Sequence, residues 1–324
     1  MPVTKEAIVK EDVNLTRRRA LQCMAWAGTG VVWTIGGGVP RTLGWLGEAR
    51  AAEVPKGQLT FVQISDTHLG FKQPANPDPA ATLGEVIAKI NALPTQPAFL
   101  VHTGDISHLS KEAEWDAADQ VIKGANKEVF YIPGEHDVAD VDNGKAYLAR
   151  YGKKTHGRGW YSFDAGGVHF VGLINVFDFN PGFKSAGLAS LGEEQLEWLE
   201  KDVKPLAAST PIIVLAHLPL WTVYEPWGWG TADAGQALGY LKRFGSVTVL
   251  NGHIHQIIQK VEGNLTLHTA ASTAFPQPAP GSAPAPGPMA VPGEQLRKHL
   301  GLRNVDFVHG KAGVPALIET PLSA

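Results

Sequence analysis

The stretch Leu59-Thr60-Phe61-Val62-Gln63-Ile64-Ser65-Asp66-Thr67-His68 decides the fold, because a β-rich apolar run changes abruptly into polar residues. Residues 59–64 have the pattern of a buried strand. The same pattern recurs downstream, where each apolar run is followed within a few residues by Asp, Glu or His. These further runs predict strands over residues 98–102, 128–132, 211–216 and 247–250.

Segments with helical spacing separate the early strands, and hairpins dominate later in the chain. Apolar Leu83, Val86, Ile87 and Ile90 lie on one face of a predicted helix. The remaining predictions are helices over 78–91, 111–122 and 191–203, and hairpins formed by 160–163 with 168–174 and by 256–261 with 265–269. This order predicts an α/β protein of two mixed β-sheets packed together with helices outside, a four-layer α/β/β/α sandwich.

The chain divides into a main domain and a proline-rich loop with a C-terminal segment after it. The domain is predicted over residues 52–275. Seven prolines between Pro276 and Pro292 predict a loop over 276–293 without a core-forming pattern. We expect residues 294–324 to pack on the same domain, with a short helix over 294–300 and a strand pair at 304–308 and 316–319.

The composition is that of a soluble globular protein, with 324 residues of which 44% are hydrophobic and 18% charged. A net charge of −3 argues against a general nucleic-acid binder, so no nucleic-acid partner is expected. Cys23 is the sole cysteine, which excludes an intramolecular disulfide.

The N-terminus has the order of regions found in an export signal. Thr16-Arg17-Arg18-Arg19-Ala20-Leu21 precedes an uncharged stretch that ends at Pro40, and Ala49-Arg50-Ala51 offers a cleavage site. Residues 1–51 are therefore predicted to be a twin-arginine signal peptide, which makes the export machinery a partner and the periplasm the destination. An uncleaved membrane anchor and a flexible tail are the alternatives.

Metal-ligand side chains follow the predicted strands. Carboxylates and imidazoles suit divalent first-row metals, and the carboxyl ends of strands are where α/β sheets form sites. One such motif is more often a cap or a turn, but five at successive strand ends predict one metal site. The residues are Asp66, His68, Asp105, Glu135, His136, Asp137, His217, His253 and His255.

These motifs, in order, resemble the signature of the calcineurin-like metallophosphoesterase superfamily over residues 59–275. The matching elements are Asp66-x-His68, Gly104-Asp105, Gly134-x-His136-Asp137, His217 and Gly252-His253-x-His255. The segments 61–68 and 271–275 are most similar to the branch that contains cyclic-nucleotide phosphodiesterases.

The resemblance implies two metal ions and a bridging hydroxide that attacks a phosphoester. Asp66, His68 and His255 would hold the first ion, and Asp105 would bridge both. The second ion would be held by Glu135, His217 and His253. His136 would act at the phosphate as the catalytic residue, by stabilising charge or protonating the leaving oxygen, with Asp137 orienting its ring. The ligands do not distinguish Mn, Fe and Zn.

Two positions depart from the patterns of the superfamily. Glu135 replaces the usual Asn and makes the site less positive by one charge, which favours monoanionic diesters or a more highly charged metal such as Fe(III). His108 stands where purple acid phosphatases carry a metal-bound Tyr. It is interpreted as a polar loop residue, with a contact to substrate as the alternative.

The aromatic segment after His217 has two interpretations. Trp221, Tyr224, Trp227 and Trp229 form either a loop folded on its own aromatics or a pocket wall that stacks on a base or aryl group. His108, Trp221 and Tyr224 are accordingly the candidate substrate contacts. The histidines in or beside strands, His102, His169 and His268, are interpreted as structural.

The predicted activity is hydrolysis of a small-molecule phosphoester, with diesters favoured. A phosphomonoesterase and a non-catalytic metal-binding protein are alternatives, and a phosphodiesterase directed at phospholipid or nucleic acid is a third. His136 and Asp137 favour an enzyme, because a site that only binds metal does not need them.

Overall fold

The computed structural model describes residues 35–36, 39–40, 58–177, 188–308 and 314–323. Apart from four residues, the predicted signal peptide over 1–51 lies outside the described residues, and it stays a prediction. No helix in the described part of the chain is long and apolar enough to cross a membrane.

The secondary structure follows the alternation expected from the sequence. The α-helices of the described residues are α1 (Pro79–Asn91), α2 (Glu112–Ile122), α3 (Lys145–Tyr151), α4 (Glu193–Val203), α5 (Ala234–Leu241) and α6 (Gly293–His299). The strands are β1 (Ile35–Gly36), β2 (Val39–Pro40), β3 (Gln58–Ile64), β4 (Leu100–His102), β5 (Val129–Tyr131), β6 (Tyr161–Ala165), β7 (Val168–Gly172), β8 (Ile212–Leu215), β9 (Val247–Asn251), β10 (Gln259–Glu262), β11 (Leu265–Thr269), β12 (Gly301–Val308) and β13 (Ala316–Pro321).

Two mixed sheets form the centre of the molecule. The five-stranded sheet has the order β13-β12-β3-β4-β5, in which β3, β4 and β5 are parallel and β12 is antiparallel to β3. The six-stranded sheet has the order β10-β11-β9-β8-β7-β6, with a parallel centre and antiparallel edges. The short β1 and β2 pair with each other.

Helices cover the outer face of each sheet, so the predicted four-layer α/β/β/α sandwich is confirmed. Successive side chains of a strand point to opposite faces. Phe61 of β3 and Phe170 of β7 therefore meet in the core between the sheets. Val62 packs against α1 and α2, and Val214 of β8 packs against α4 and α5.

Two short helices were not predicted. Helix α5 contains Gly235 and Gly239, which weaken a helical pattern, and α3 has only one fully buried side chain, Tyr147. The proline-rich segment 276–292 contains no helix or strand, as predicted. Strand β12 is longer than predicted and lies beside β3 within the sheet.

Candidate metal centre

The ends of β3, β4, β8 and β9 and the turn after β5 bring the predicted ligands together at one edge of the two sheets. The seven predicted ligands form two groups whose donor atoms lie within 4.8 Å of one another, and His68 also belongs to a third such group with His108 and His136. Asp105 belongs to both groups. The first group is Asp66, His68, Asp105 and His255, and the second is Asp105, Glu135, His217 and His253.

Five of these residues have a backbone conformation that side chains rarely adopt. Their φ angles lie between 41° and 68°, in the left-handed region. Such a conformation costs about 1 kcal/mol or more for each residue and is concentrated at functional sites. The residues are Asp66, His68, Asp105, His253 and His255.

Glycines in the motifs allow the strand ends to approach one another. A Cβ at Gly104 would collide with the ring of His217, and one at Gly134 would collide with Asp105. A Cβ at Gly252 would meet Ser65 in the same way. No larger residue fits at these three positions without a collision. At Gly104 the φ angle of 101° also favours glycine.

The carboxylate of Asp105 lies between the two groups. Its Oδ2 atom is 3.4 Å from Nε2 of His68 and 3.4 Å from Nε2 of His217. Its Oδ1 atom accepts a hydrogen bond from the backbone N–H of His136 at 2.9 Å. Asp105 is therefore placed where metal ions held by either group could share its carboxylate.

Backbone carbonyls orient two of the histidines. Nδ1 of His217 donates to the Thr103 carbonyl, and Nδ1 of His255 donates to the Phe275 carbonyl, each at 2.6 Å. Because a carbonyl can only accept, the hydrogen of each neutral ring lies on Nδ1. The lone pair on Nε2 then faces the centre, which is the arrangement of metal-ligating histidines.

The electrostatics of the centre also fit bound cations. Asp66, Asp105 and Glu135 are buried, and within the described ranges their ion pairs are with histidines alone. Burial and the nearby Glu135 carboxylate raise the pKa of Asp105 well above its usual range. Carboxylates and imidazoles packed in this way fit two divalent ions.

Glu135 lies in the second group, where the family usually has Asn. Its Oε2 atom is 2.9 Å from Nε2 of His217, and its Oε1 atom is 2.9 Å from Nδ1 of His253. Although burial opposes ionisation, these two histidines lower the pKa of Glu135 well below its usual range. The second group therefore contains a carboxylate at the position where the resemblance implies a neutral amide.

His136 lies beside the first group, with its ring 4.7 Å from that of His68. Its Nδ1 atom donates to the carbonyl of His108 at 2.6 Å. The ring of His108 stacks on His136 at 4.8 Å and places its Nδ1 3.4 Å from Nδ1 of His68. The structure thus brings His108, the candidate substrate contact, into the centre.

Hydrogen bonds tie Asp137 to the backbone around the centre, and its expected role in orienting the His136 ring stays a prediction. Its carboxylate accepts hydrogen bonds from the backbone N–H groups of Ile106, Ser107 and Gly134 at 2.8–3.0 Å. Nδ1 of the His136 ring donates to the carbonyl of His108. Asp137 therefore fixes the loop after β4 to the turn after β5, since its acceptor atoms are directed at backbone donors.

The aromatic segment folds on itself. Val223 and Trp229 are joined by a backbone hydrogen bond of 2.8 Å, and Tyr224 packs edge-on against Trp227. Trp229 is buried, and its ring lies 6.4 Å from that of His253. Trp221 packs against the same cluster. The self-packed interpretation therefore describes the segment, and substrate contacts by Trp221 and Tyr224 stay a prediction.

The other histidines serve the framework. His102 is buried, accepts from the Gly104 N–H and contacts the Thr67 hydroxyl, and burial lowers its pKa to about 3. Burial likewise lowers the pKa of His268 to about 3. His169 bridges two aspartates at the surface of the six-stranded sheet.

Sequence reasoning missed the residues that support the ligands. Thr103 and Phe275 act through their backbone carbonyls, which any residue type provides, so composition carries no signal for them. The Phe275 ring also packs against His68 at 4.8 Å and against Phe71 at 4.3 Å. Its place in segment 271–275 was the one available clue.

A two-sheet sandwich with this donor set defines a metal-dependent phosphoesterase. The chain belongs to the calcineurin-like phosphoesterase family, whose model matches residues 59–257. The expected superfamily and branch are confirmed, because the family match is accompanied by relatives named as glycerophosphodiester and cyclic-nucleotide phosphodiesterases.

Two relatives and one solved structure illustrate the similarity. A probable glycerophosphodiester phosphodiesterase of Arcobacter nitrofigilis is 25% identical over 66% of this chain and 78% of its own length. A 3′,5′-cyclic-nucleotide phosphodiesterase of Nostoc sp. is 24% identical over 67% and 79%. The crystal structure of a dimetal phosphatase from Danio rerio shares the fold, with a TM-score of 0.61 at 14% identity over 82% of this chain and 96% of that one.

Proposed function

We propose that the chain is an exported hydrolase of small-molecule phosphodiesters that works with two bound metal ions. The observation that carries this proposal is the position of Asp105, whose Oδ2 atom lies 3.4 Å from a histidine of each donor group. Two relatives named as phosphodiesterases support the diester class.

The proposed ligand assignment follows the two groups. Asp66, His68 and His255 would hold one ion, and Glu135, His217 and His253 would hold the other, with Asp105 shared. When bound, the ions would supply Lewis-acid chemistry, lowering the pKa of a coordinated water and neutralising charge on the phosphoryl oxygens. Mn, Fe and Zn all suit these ligands.

His136 is the proposed catalytic residue at the substrate. Burial lowers its pKa to about 4, so the ring is neutral at pH 7 without substrate. Its hydrogen lies on Nδ1, which is held by the His108 carbonyl. An anionic phosphoester beside the ring would raise this pKa and so favour a proton on Nε2. The proton on Nε2 would stabilise the developing charge or pass to the leaving oxygen.

Glu135 supports the preference for diesters over monoesters. Its carboxylate lies 2.9 Å from both His217 and His253, inside the second donor group. A third carboxylate reduces the attraction for a dianionic monoester more than for a monoanionic diester, since the interaction scales with the product of charges. The Glu would equally suit a more highly charged ion such as Fe(III).

Export rests on the sequence alone. The arginines at 17–19, the uncharged stretch after them and the small residues near Ala51 support a twin-arginine signal and a periplasmic location. Cell fractionation of the wild-type chain beside a variant with Arg17 and Arg18 replaced by Lys tests this. Retention of the double variant in the cytoplasm is expected, and equal export of both would contradict the proposal.

The test of the activity combines metal analysis with turnover. We expect two metal ions per chain in the purified protein and hydrolysis of bis(nitrophenyl) phosphate in preference to nitrophenyl phosphate. His136→Ala serves as the matched control, and it should keep the metal while losing most of the turnover. Metal without hydrolysis of either ester, under added Mn, Fe and Zn, would instead indicate a metal-binding protein.

A further inference from the structure

A buried polar network lies behind the metal centre. Gln63, Thr103, Asn251 and Arg303 are each at most 1% exposed. Arg303 comes from β12 and lies outside the residues matched by the family. Burying a guanidinium is costly unless each of its donors is satisfied, so its position requires an explanation.

Arg303 is held by partners from three different strands. Its Nη1 atom donates to the side-chain oxygen of Gln63 at 2.9 Å, and Nη2 donates to the Thr269 carbonyl at 2.7 Å. Nε forms an ion pair with Glu319 of β13 at 2.5 Å. The guanidinium is thereby fixed in one orientation, and it fixes the amide of Gln63 in turn.

Gln63 passes this orientation to the strand ends that carry the ligands. Because its oxygen accepts from Arg303, its Nε2 group must face the other way. There it donates to the Thr103 hydroxyl at 2.9 Å and to the Asn251 carbonyl at 3.2 Å. The Thr103 hydroxyl in turn donates to Ser65 at 2.7 Å. One amide therefore joins the ends of β3, β4 and β9.

The network ends at His217. The Thr103 carbonyl accepts from Nδ1 of His217 at 2.6 Å, and this contact directs Nε2 of that ring at Glu135 and Asp105. Asn251 donates to the carbonyls of Ala216 and Leu218, which flank His217 on both sides, at 3.0 Å and 2.9 Å. The same ligand is thus held through its ring and through its backbone.

We propose that Arg303 and Gln63 are positioning residues for the second metal site, acting through Thr103 and Asn251 on His217. Strand β12, which follows the family-matched region, then supports the metal centre although none of its residues belongs to the two donor groups. This inference rests on the metal centre proposed above. It adds the residues that hold the second donor group in place.

Three variants separate positioning from general stability. Arg303→Met removes the donors, and Gln63→Glu keeps an acceptor for Arg303 while removing the Nε2 donor. Arg297→Met is the control, because Arg297 is also a C-terminal arginine with an ion pair to a glutamate, Glu85, but lies on the surface away from the network. The Glu variant retains the partner of the buried arginine, so it is expected to fold even if Arg303→Met does not.

The readout is binding of Zn²⁺ to the metal-free protein by calorimetry, with thermal unfolding measured in parallel. Supporting contacts of metal-ligating histidines contribute about 10- to 100-fold in affinity. We expect the weaker of the two binding events to lose affinity within that range in Gln63→Glu and Arg303→Met, and to be unchanged in Arg297→Met.

The outcomes distinguish this inference from the proposed function. If the wild type binds two ions and the folded variants Gln63→Glu and Arg303→Met bind them with the same affinity, the positioning role alone is overturned. A wild-type chain that binds none of Zn²⁺, Mn²⁺ and Fe²⁺ would overturn the two-metal function and this inference with it. A selective loss of one binding event in folded Gln63→Glu would support the proposal.

Discussion

The Oε2 atom of Glu135 lies 2.9 Å from Nε2 of His217, inside a group of buried metal-ligand side chains. The Glu side chain is longer than that of the Asn expected here from the family resemblance. Both of its carboxylate oxygens are nevertheless directed at histidines of the second group. Its charge, as well as its reach, therefore belongs to the site.

Replacing Glu135 with Asn should shift the enzyme towards monoesters. The change removes one negative charge near the position of the phosphoryl group, which favours the dianionic substrate. We expect the ratio of kcat/KM for nitrophenyl phosphate to that for bis(nitrophenyl) phosphate to rise about ten-fold, which corresponds to ~1.4 kcal/mol. Glu135→Gln is the control that keeps the length and removes the charge. A shift in Asn but not in Gln would show that length, and not charge, sets the preference.

His136→Ala should lower kcat by about 10²- to 10⁴-fold, which is the usual contribution of a positioned acid or base. If the ring protonates the leaving oxygen, the loss will be largest for diesters with a poor leaving group, because nitrophenolate leaves without a proton. Comparing methyl and nitrophenyl leaving groups measures this. An equal loss for both would assign His136 to charge stabilisation, and unchanged rates would remove it from the catalytic site.

The sequence predicts those parts of the fold and site that depend on side-chain type, and not those that depend on backbone groups or on contacts between distant segments. The strands and ligands were predictable because apolar runs ended at Asp66, Asp105 and His217 in order. The hydrogen bond that orients His217 was not predictable, because Thr103 accepts it through its backbone carbonyl. Pairing between β3 and β12 was equally inaccessible, since it joins residues such as Gln63 and Arg303 that are far apart in the chain.

The hydrogen bonds of Asp137 likewise depend on the fold and not on its place in the sequence. The sequence places it next to His136, which suggested a contact between the two side chains. In the fold the carboxylate is directed into the loop after β4, where Ile106 and Ser107 present backbone N–H groups. Adjacent residues in a tight turn need not share a direction, and only the turn geometry decides it.

Gly104→Ala should disrupt the metal centre, whereas Gly84→Ala should not. A Cβ at Gly104 would collide with the ring of His217, and φ there is 101°. At Gly84, in α1, no atom lies within 4 Å of an added Cβ, so Ala is expected to stabilise the helix by about 0.5–1 kcal/mol. Metal content and urea unfolding of both variants check this pair. Full metal occupancy in Gly104→Ala would contradict the steric argument.

His169→Gln should change how the stability of the protein depends on pH. Nδ1 of His169 lies 2.9 Å from Asp164 and Nε2 lies 2.9 Å from Asp202. Burial opposes protonation, but the two aspartates prevail and raise the pKa of His169 above its ordinary value. A raised pKa in the folded state stabilises the protein fully below the unfolded value of about 6.5, and that stability is lost as pH rises through the folded value.

The free energy of unfolding of wild type and variant should therefore differ most near pH 6, by about 1–2 kcal/mol for hydrogen bonds to a charged ring. The difference should shrink towards pH 9, because the wild-type ring loses its proton as the pH rises through its raised pKa. Urea unfolding at the two pH values measures it. Asp202→Asn is the control, since loss of the more buried aspartate should weaken the same pH dependence. A difference that is equal at both pH values would mean that His169 stabilises the sheet by packing and neutral hydrogen bonds instead of by its charge.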